Sequence, residues 1–203
     1  IDDVSLLETV MPEIEEISDD ATYDDDPCAA TADDGSVYIA WIAFHDGADA
    51  LEIARVRPLF EKEYIIGTTM TFESTVHPSR GINSLGQWTL PHDHDTAILT
   101  PTLIPQGDGV LLIYSTEIDG QWEICSVSCD ENGPGEVNRL TENAITMIHP
   151  SAAFDKNGVL WIAYEMNYCY RRRIGLVAIN PEGEEIHRTC LTSSLLSAYD
   201  PSL

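Results

Sequence analysis

The sequence predicts an all-β protein of the β-propeller kind, built from four-stranded antiparallel blades, and three observations carry that prediction. A proline-headed segment recurs three times without a gap: "PCAATADDGSVYIAW" from Pro27, "PTLIPQGDGVLLIYS" from Pro101 and "PSAAFDKNGVLWIAY" from Pro150. Pro27, Pro101, Pro150 and Pro201 stand 74, 49 and 51 residues apart, and a period near fifty residues with strands throughout is the mark of propeller blades. No long amphipathic helix is visible, only a short candidate near Val4 to Ile17.

Residues 1–26 read as the end of a preceding blade or as an acidic leader. In each repeat the proline heads the first strand, and Asp34-Gly35, Asp108-Gly109 or Asn157-Gly158 follows as a tight hairpin, because such pairs favour positive φ. The second strand comes next, as in "SVYIAWIAF" or "VLWIAYE", nearly continuous in apolar residues as expected of a strand buried on both faces. Third strands are placed at "ALEIARVR", "QWEICSVS" and "RIGLVAIN", and outer fourth strands at "YIIGTTMTF", "EVNRLT" and "EEIHRTC". The count gives a blade at 27–100 carrying an insertion, blades at 101–149 and 150–200, and the start of another at 201–203. Closed rings are built from roughly 4 to 8 blades, so about three complete repeats plus end fragments point to part of a larger ring.

Charge excludes some partners. The chain has 35 Asp and Glu against 10 Lys and Arg, a formal charge of -25, with Lys62 and Lys156 as its two lysines. Such a surface repels polyanions, so nucleic acid is not an expected partner. The longest apolar runs, such as Val37 to Phe44, are strand-sized, so membrane insertion is not expected either. The first residues are acidic and lack the pattern of a secretory signal. Cys28, Cys125, Cys129, Cys169 and Cys190 form no CxxC pair, and buried structural thiols are expected of them.

In a propeller, the entry to each first strand and the loop joining the second and third strands share one face. The residues before the repeat prolines are Asp26, Thr100, His149 and Asp200, three of them able to bind a cation or act as acid or base. The loops add His45, Asp46 and Asp49, then Glu117 and Asp119, then Glu165, Tyr168, Tyr170 and Arg171, Arg172 and Arg173, the one basic cluster of the chain. A guanidinium fork beside tyrosines suits a carboxylate or a sugar. Asp26, His45, Asp46, Arg171, Arg172 and Arg173 are therefore candidate ligand-binding residues, and His149, Glu165, Tyr168 and Asp200 candidate catalytic ones. The insertion holds His77 and the run His92, Asp93, His94, Asp95; in a strand His92 and His94 point the same way, a candidate divalent metal site in a chain where no other cofactor is expected.

The unit "PSAAFDKNGVLWIAYE" resembles the repeats of secreted bacterial six- and seven-bladed propellers of the sialidase-like and TolB-like kinds. That resemblance implies a periplasmic or extracellular setting. Sialidase Asp-boxes have one residue between Asp and Gly, whereas two separate Asp155 from Gly158 here. No G-x-S-x-G elbow, phosphate loop, HExxH or dinucleotide fingerprint occurs. The expectation is a binding or scaffold module for a carbohydrate or protein ligand. Two alternatives stand beside it: a glycan-active enzyme, sialidase-like or lyase-like, and a metal-dependent hydrolase using His77, His92 and His94.

Overall fold

The computed structural model describes residues 17, 23–45, 47–59, 81–90, 97–142, 145–168, 170–192 and 197–203. Those residues form β1 (Tyr23–Thr31), β2 (Val37–His45), β3 (Ala48–Leu59), β4 (Gly81–Thr89), β5 (Ile98–Gln106), β6 (Gly109–Ile118), β7 (Gln121–Asp130), β8 (Gly133–Arg139), β9 (Met147–Phe154), β10 (Leu160–Tyr168), β11 (Arg171–Ile179) and β12 (Glu185–Cys190). They make three four-stranded sheets, β1 to β4, β5 to β8 and β9 to β12, each ordered along the chain and antiparallel throughout. The candidate helix near Val4 to Ile17 lies outside the described residues, apart from Ile17, which packs on Trp41, Ala43 and Ala54.

The first strands of the sheets come together, β1 against β5 and β5 against β9, and the second strands pack across the same junctions. Side-chain alternation on β6 explains why the apolar second strands must be covered twice. Val110, Leu112 and Tyr114 point into a cluster shared with Tyr38, Ile42 and Ile53 of the first sheet. Leu111 and Ile113 point the other way, into a cluster with Ile162, Tyr164 and Val177 of the third. Among the described cysteines, Cys125 and Cys129 are buried and Cys190 is exposed. Burial pushes the Cys125 thiol up to about 11 and the Cys129 thiol up to about 12, which keeps both protonated and inert.

Each first strand carries the same kink. Asp26, Thr100, His149 and Asp200, the four residues before repeat prolines, have φ of 48, 49, 52 and 48°, in the left-handed region although none is glycine. In the three complete repeats the kink is a bulge: the pairing jumps between Asp25 and Cys28, between Leu99 and Thr102, and between the partners of Ala163 and Glu165. Two residues of β1, β5 or β9 thus face a single residue of the second strand, and that residue is always a buried aromatic: Trp41, Tyr114 or Tyr164. A proline suits the bulge because it has no N–H to leave unpaired. Thr100 is the least suited of the four, since a β-branched residue resists positive φ. Thr100→Asn is expected to raise stability by about 0.5–1 kcal/mol, read from the urea midpoint; no gain would mean that the site relaxes Thr at no cost.

The hairpins correct the gapless repeat alignment. In the first and third sheets the turns Ala32–Gly35 and Asp155–Gly158 close with the glycine N–H donating to the first residue's carbonyl, and Gly35 and Gly158 have φ of 81 and 77°. The second sheet instead has a two-residue turn, Gly107 and Asp108, with positive φ at Gly107, the type II′ pattern, and Gly109 already pairs with Gln106. Its second strand therefore slips by one residue. Tyr114, rather than Ser115, falls in line with Trp41 and Tyr164, and Ser115 falls in line with Ile42 and Glu165. Gly109 is kept for a different reason than turn geometry: a Cβ there would lie 2.3 Å from the Cys129 carbonyl oxygen.

The turn carboxylates are structural. Asp155 accepts from the N–H groups of Asn157 and Val159 and from Trp161 Nε1. Asp34 accepts from Ser36 Oγ and N, and from Arg55 and Arg57, both at 2.8 Å. The Ser36 bonds, with help from Arg55, hold the Asp34 carboxyl below its ordinary 3.8, at about 2. Its contribution is then fully present above the ordinary value and lost as pH falls from 3.8 to about 2. Asp34→Asn is expected to flatten that acid limb in a plot of Tm against pH; a limb of unchanged steepness would rule Asp34 out as a source of it.

The outer strand of the first sheet also differs from expectation. β3 pairs with β4 at Gly81–Thr89, not with "YIIGTTMTF" at 64–72, which lies outside the described residues. The missed signal is a leucine that closes each fourth strand: Leu90, Leu140 and Leu191 donate their N–H groups to Leu51, Ile124 and Ile174 of the third strands.

Candidate functional site

The kink of β9 lifts His149 beside the second strand, and the hydrogen bonds of one buried carboxylate gather the rest. Glu165 on β10 is 1% exposed. Its Oε1 accepts from His149 Nδ1 at 3.1 Å, which fixes Nδ1 as the protonated nitrogen, and from the backbone N–H of Asp200 at 2.9 Å. Its Oε2 accepts from Arg172 Nη1 at 3.3 Å. Burial pushes the Glu165 carboxyl up, but the Asp200 N–H, the His149 bond and the charges of His149 and Arg172 outweigh it and hold it below the ordinary range. Glu165 is thus an anion held by three donors across both oxygens.

The left-handed φ at Asp200 turns its N–H inward and leaves its side chain exposed. The segment 197–203 is held along β9 and β11 by two further bonds, Ala198 N–H to the Arg172 carbonyl and Leu203 N–H to Ser151 Oγ. The guanidinium of Arg172 sits 5.4 Å from the Tyr199 ring centroid, a cation–π contact. Around buried Glu165 the surface therefore presents His149, 30% exposed by side chain, Arg172, 47%, and Tyr199, 55%.

Strand register sorts the arginine cluster. Asn167 pairs with Arg172 and Glu165 with Ile174, so Arg172 shares Glu165's face of the sheet while Arg171 and Arg173 occupy the other. Arg172 falls in line with Asp49 of the first sheet, since Asp49 pairs with Phe44 as Arg172 pairs with Asn167. Both residues grip the strand that follows their repeat: Asp49 Oδ2 accepts from Ile98 N–H at 3.2 Å.

The structure brings together His149, Glu165, Arg172 and Asp200. Asp26 stands at the equivalent kink of the first sheet, where Ile42 occupies the place of Glu165 and no like cluster forms among the described residues. Tyr168 ends β10 opposite Arg171, and His45 ends β2 opposite Ala48. Asp46, His77, His92 and His94, with Asp93 and Asp95, lie outside the described residues. Tyr199 was not foreseen; the signal available was its place before an Asp-Pro pair, where Asp25, Leu99 and Ile148 precede the other kinks.

Concavity points elsewhere. A cleft of about 740 Å³ runs between the second and third sheets, lined by Gln106, Ser128, Arg139, Phe154, Leu160 and Pro181 among others, and reaches the Gly107 and Gly158 turns. Those turns are at the opposite strand ends from His149. Among the described residues the cleft gathers no cluster of His and carboxylates, and the patch around Glu165 is the candidate that does.

No family model and no curated protein matches the chain. Among solved structures, a crystal structure of an endo-1,4-β-xylanase from Bacteroides thetaiotaomicron is similar, with a TM-score of 0.45 and 14% identity over 90% of this chain. The chain spans 62% of that structure's length.

Proposed function

We propose that the three sheets are successive blades of a propeller and that the chain is a ligand-binding module whose site is the patch of His149, Arg172, Tyr199 and Asp200. The blade reading is supported by the shared first-strand junctions, the two apolar clusters between sheets and the kink repeated before each proline. The binding reading rests on one observation above others: Glu165 is buried and bonded on both oxygens, while the groups it holds are half-buried or exposed. A buried carboxylate whose two oxygens are both engaged by neighbouring groups acts as an organiser. It fixes side chains whose outer faces remain free for a ligand.

A saccharide is the ligand class this patch fits. Tyr199 offers an aromatic face, Arg172 a planar fork of donors, and Asp200 an exposed acceptor, the mixture that cyclic polyols need for stacking and paired hydrogen bonds. The acidic surface argues against polyanionic glycans. On a glycan array the chain is expected to bind neutral oligosaccharides, and Tyr199→Ala or Arg172→Ala to weaken the best of them about tenfold or more. Binding unaffected by either change would move the site off this patch.

A glycan-active enzyme is the second reading, favoured by the Glu165 and Asp200 carboxylates, whose oxygens lie within 4.8 Å of each other. Retaining glycosidases hold their two carboxyl groups about 5–5.5 Å apart. Glu165 is 1% exposed and bonded on both oxygens, so binding without turnover is the expected outcome on a panel of chromogenic glycosides.

A further inference from the structure

We infer that His149, Glu165 and Asp200 form a binding site for a first-row divalent transition metal of the Zn²⁺ or Mn²⁺ class. This goes beyond the saccharide reading and does not depend on it. One ring nitrogen of His149 and one carboxylate oxygen from each of Glu165 and Asp200 all lie within 4.8 Å of one another. The three come from β9, from β10 and from the segment after β12, so the cluster is made by the fold and not by a run of acidic sequence.

The donor set selects the metal. One imidazole with two carboxylates suits Zn²⁺, Mn²⁺ and their neighbours, whereas Ca²⁺ and Mg²⁺ prefer oxygen ligands throughout. Geometry agrees for the first two ligands. Donors about 2.1 Å from a common ion stand about 3.0 Å apart at an octahedral angle and about 3.4 Å apart at a tetrahedral one. His149 Nδ1 and Glu165 Oε1 are 3.1 Å apart, so an ion can take the place of the shared proton without backbone movement. The third ligand stands close by: the Asp200 backbone is pinned by its N–H bond to Glu165, and its exposed side chain offers a carboxylate oxygen within 4.8 Å of the other two donors.

Charge favours the ion. Two carboxylates offset its two positive charges, and a chain of net charge -25 concentrates cations at its surface. Arg172 is the opposing cation, but it engages Oε2, the oxygen turned away from His149, and its side chain is 47% exposed and able to withdraw. Three protein ligands at a partly open surface leave positions for water or for a ligand oxygen, as at non-structural metal sites.

Calorimetric titration of the chelator-stripped chain with Zn²⁺, and separately with Mn²⁺, tests the inference without any glycan present. The expected result is one ion per chain, with affinity reduced at least tenfold in Asp200→Asn and in His149→Ala; the exposed Asp200→Asn is the variant whose metal-free Tm is expected to stay near the parent's. A His77→Ala/His92→Ala/His94→Ala variant is expected to keep this binding. Absence of stoichiometric binding overturns the inference, as does binding that survives both Asp200→Asn and His149→Ala. A glycan array that fails while the titration succeeds leaves the metal site standing and removes only the saccharide reading.

Discussion

Glu165→Ala is expected to lower stability by about 2–3 kcal/mol, more than any other single change at the site. It strands the Asp200 N–H, removes the acceptor shared by His149 and Arg172, and empties a space that is 1% exposed. The loss stays below that of a sealed ion pair because His149 and Arg172 can turn to water. The informative comparison is Glu165→Ile. Ile42 fills the corresponding place in the first sheet, 8% exposed, so the scaffold accepts an apolar residue there. Glu165→Ile is expected to recover about 1 kcal/mol or more of what alanine loses, by refilling the space, while ligand and metal binding stay absent. Urea unfolding of the two variants measures the difference. Equal losses would mean that Glu165 is required by the fold itself and not by the site.

Leu112→Ala is expected to cost about 3–4 kcal/mol and roughly 10 °C in Tm. Leu112 has 0% exposure and lies on β6, which is covered on one side by the first sheet and on the other by the third. Truncating it opens a cavity between two close-packed sheets that cannot collapse without moving a ladder of hydrogen bonds. Ile113→Ala should cost as much from the opposite face, because its neighbours are Ile162, Tyr164 and Val177. A cost under 1 kcal/mol for either, in equilibrium urea unfolding, would refute the two-sided burial of β6.

The same alternation explains why so much of the fold was legible. Continuous apolar runs at "SVYIAWIAF" and "VLLIYS" fix strands covered on both faces, and those strands appear as β2 and β6. What the repeat hid was a deletion of one residue inside a hairpin. Gly109 matches Gly35 and Gly158 in sequence, yet it pairs in a ladder while they turn the chain, because a two-residue turn starting at Gly107 had already reversed it. A glycine kept to avoid a clash with a neighbouring carbonyl cannot be told by letter from one kept for its φ. The outer strand of the first repeat was misplaced for a related reason: edge strands are half solvated and carry weak patterns, so only the closing leucine marks them.

At the site, sequence position was informative about neighbours and silent about burial. Placing the proline-preceding residues and the second-to-third-strand loops on one face foretold that His149, Glu165 and Asp200 would be near one another. It could not foretell that Glu165 is the buried member and the others half-buried or exposed around it, since one of its bonds comes from the backbone of the segment 197–203, far along the chain. Nor does the string "RRR" say which arginine turns toward Glu165; strand register does.

The kink before each proline has a consequence for how such a chain diversifies. Asp26, Thr100, His149 and Asp200 carry three side-chain chemistries but share one φ to within a few degrees. In the three complete repeats the kink coincides with the bulge, the proline and a buried aromatic opposite, none of which is the side chain at the kink itself. Each repeat therefore offers an interchangeable socket. Duplication copies the socket whole, and a change at one position refits it with an acid, a hydroxyl or an imidazole while the bulge, the proline and the aromatic opposite stay in place.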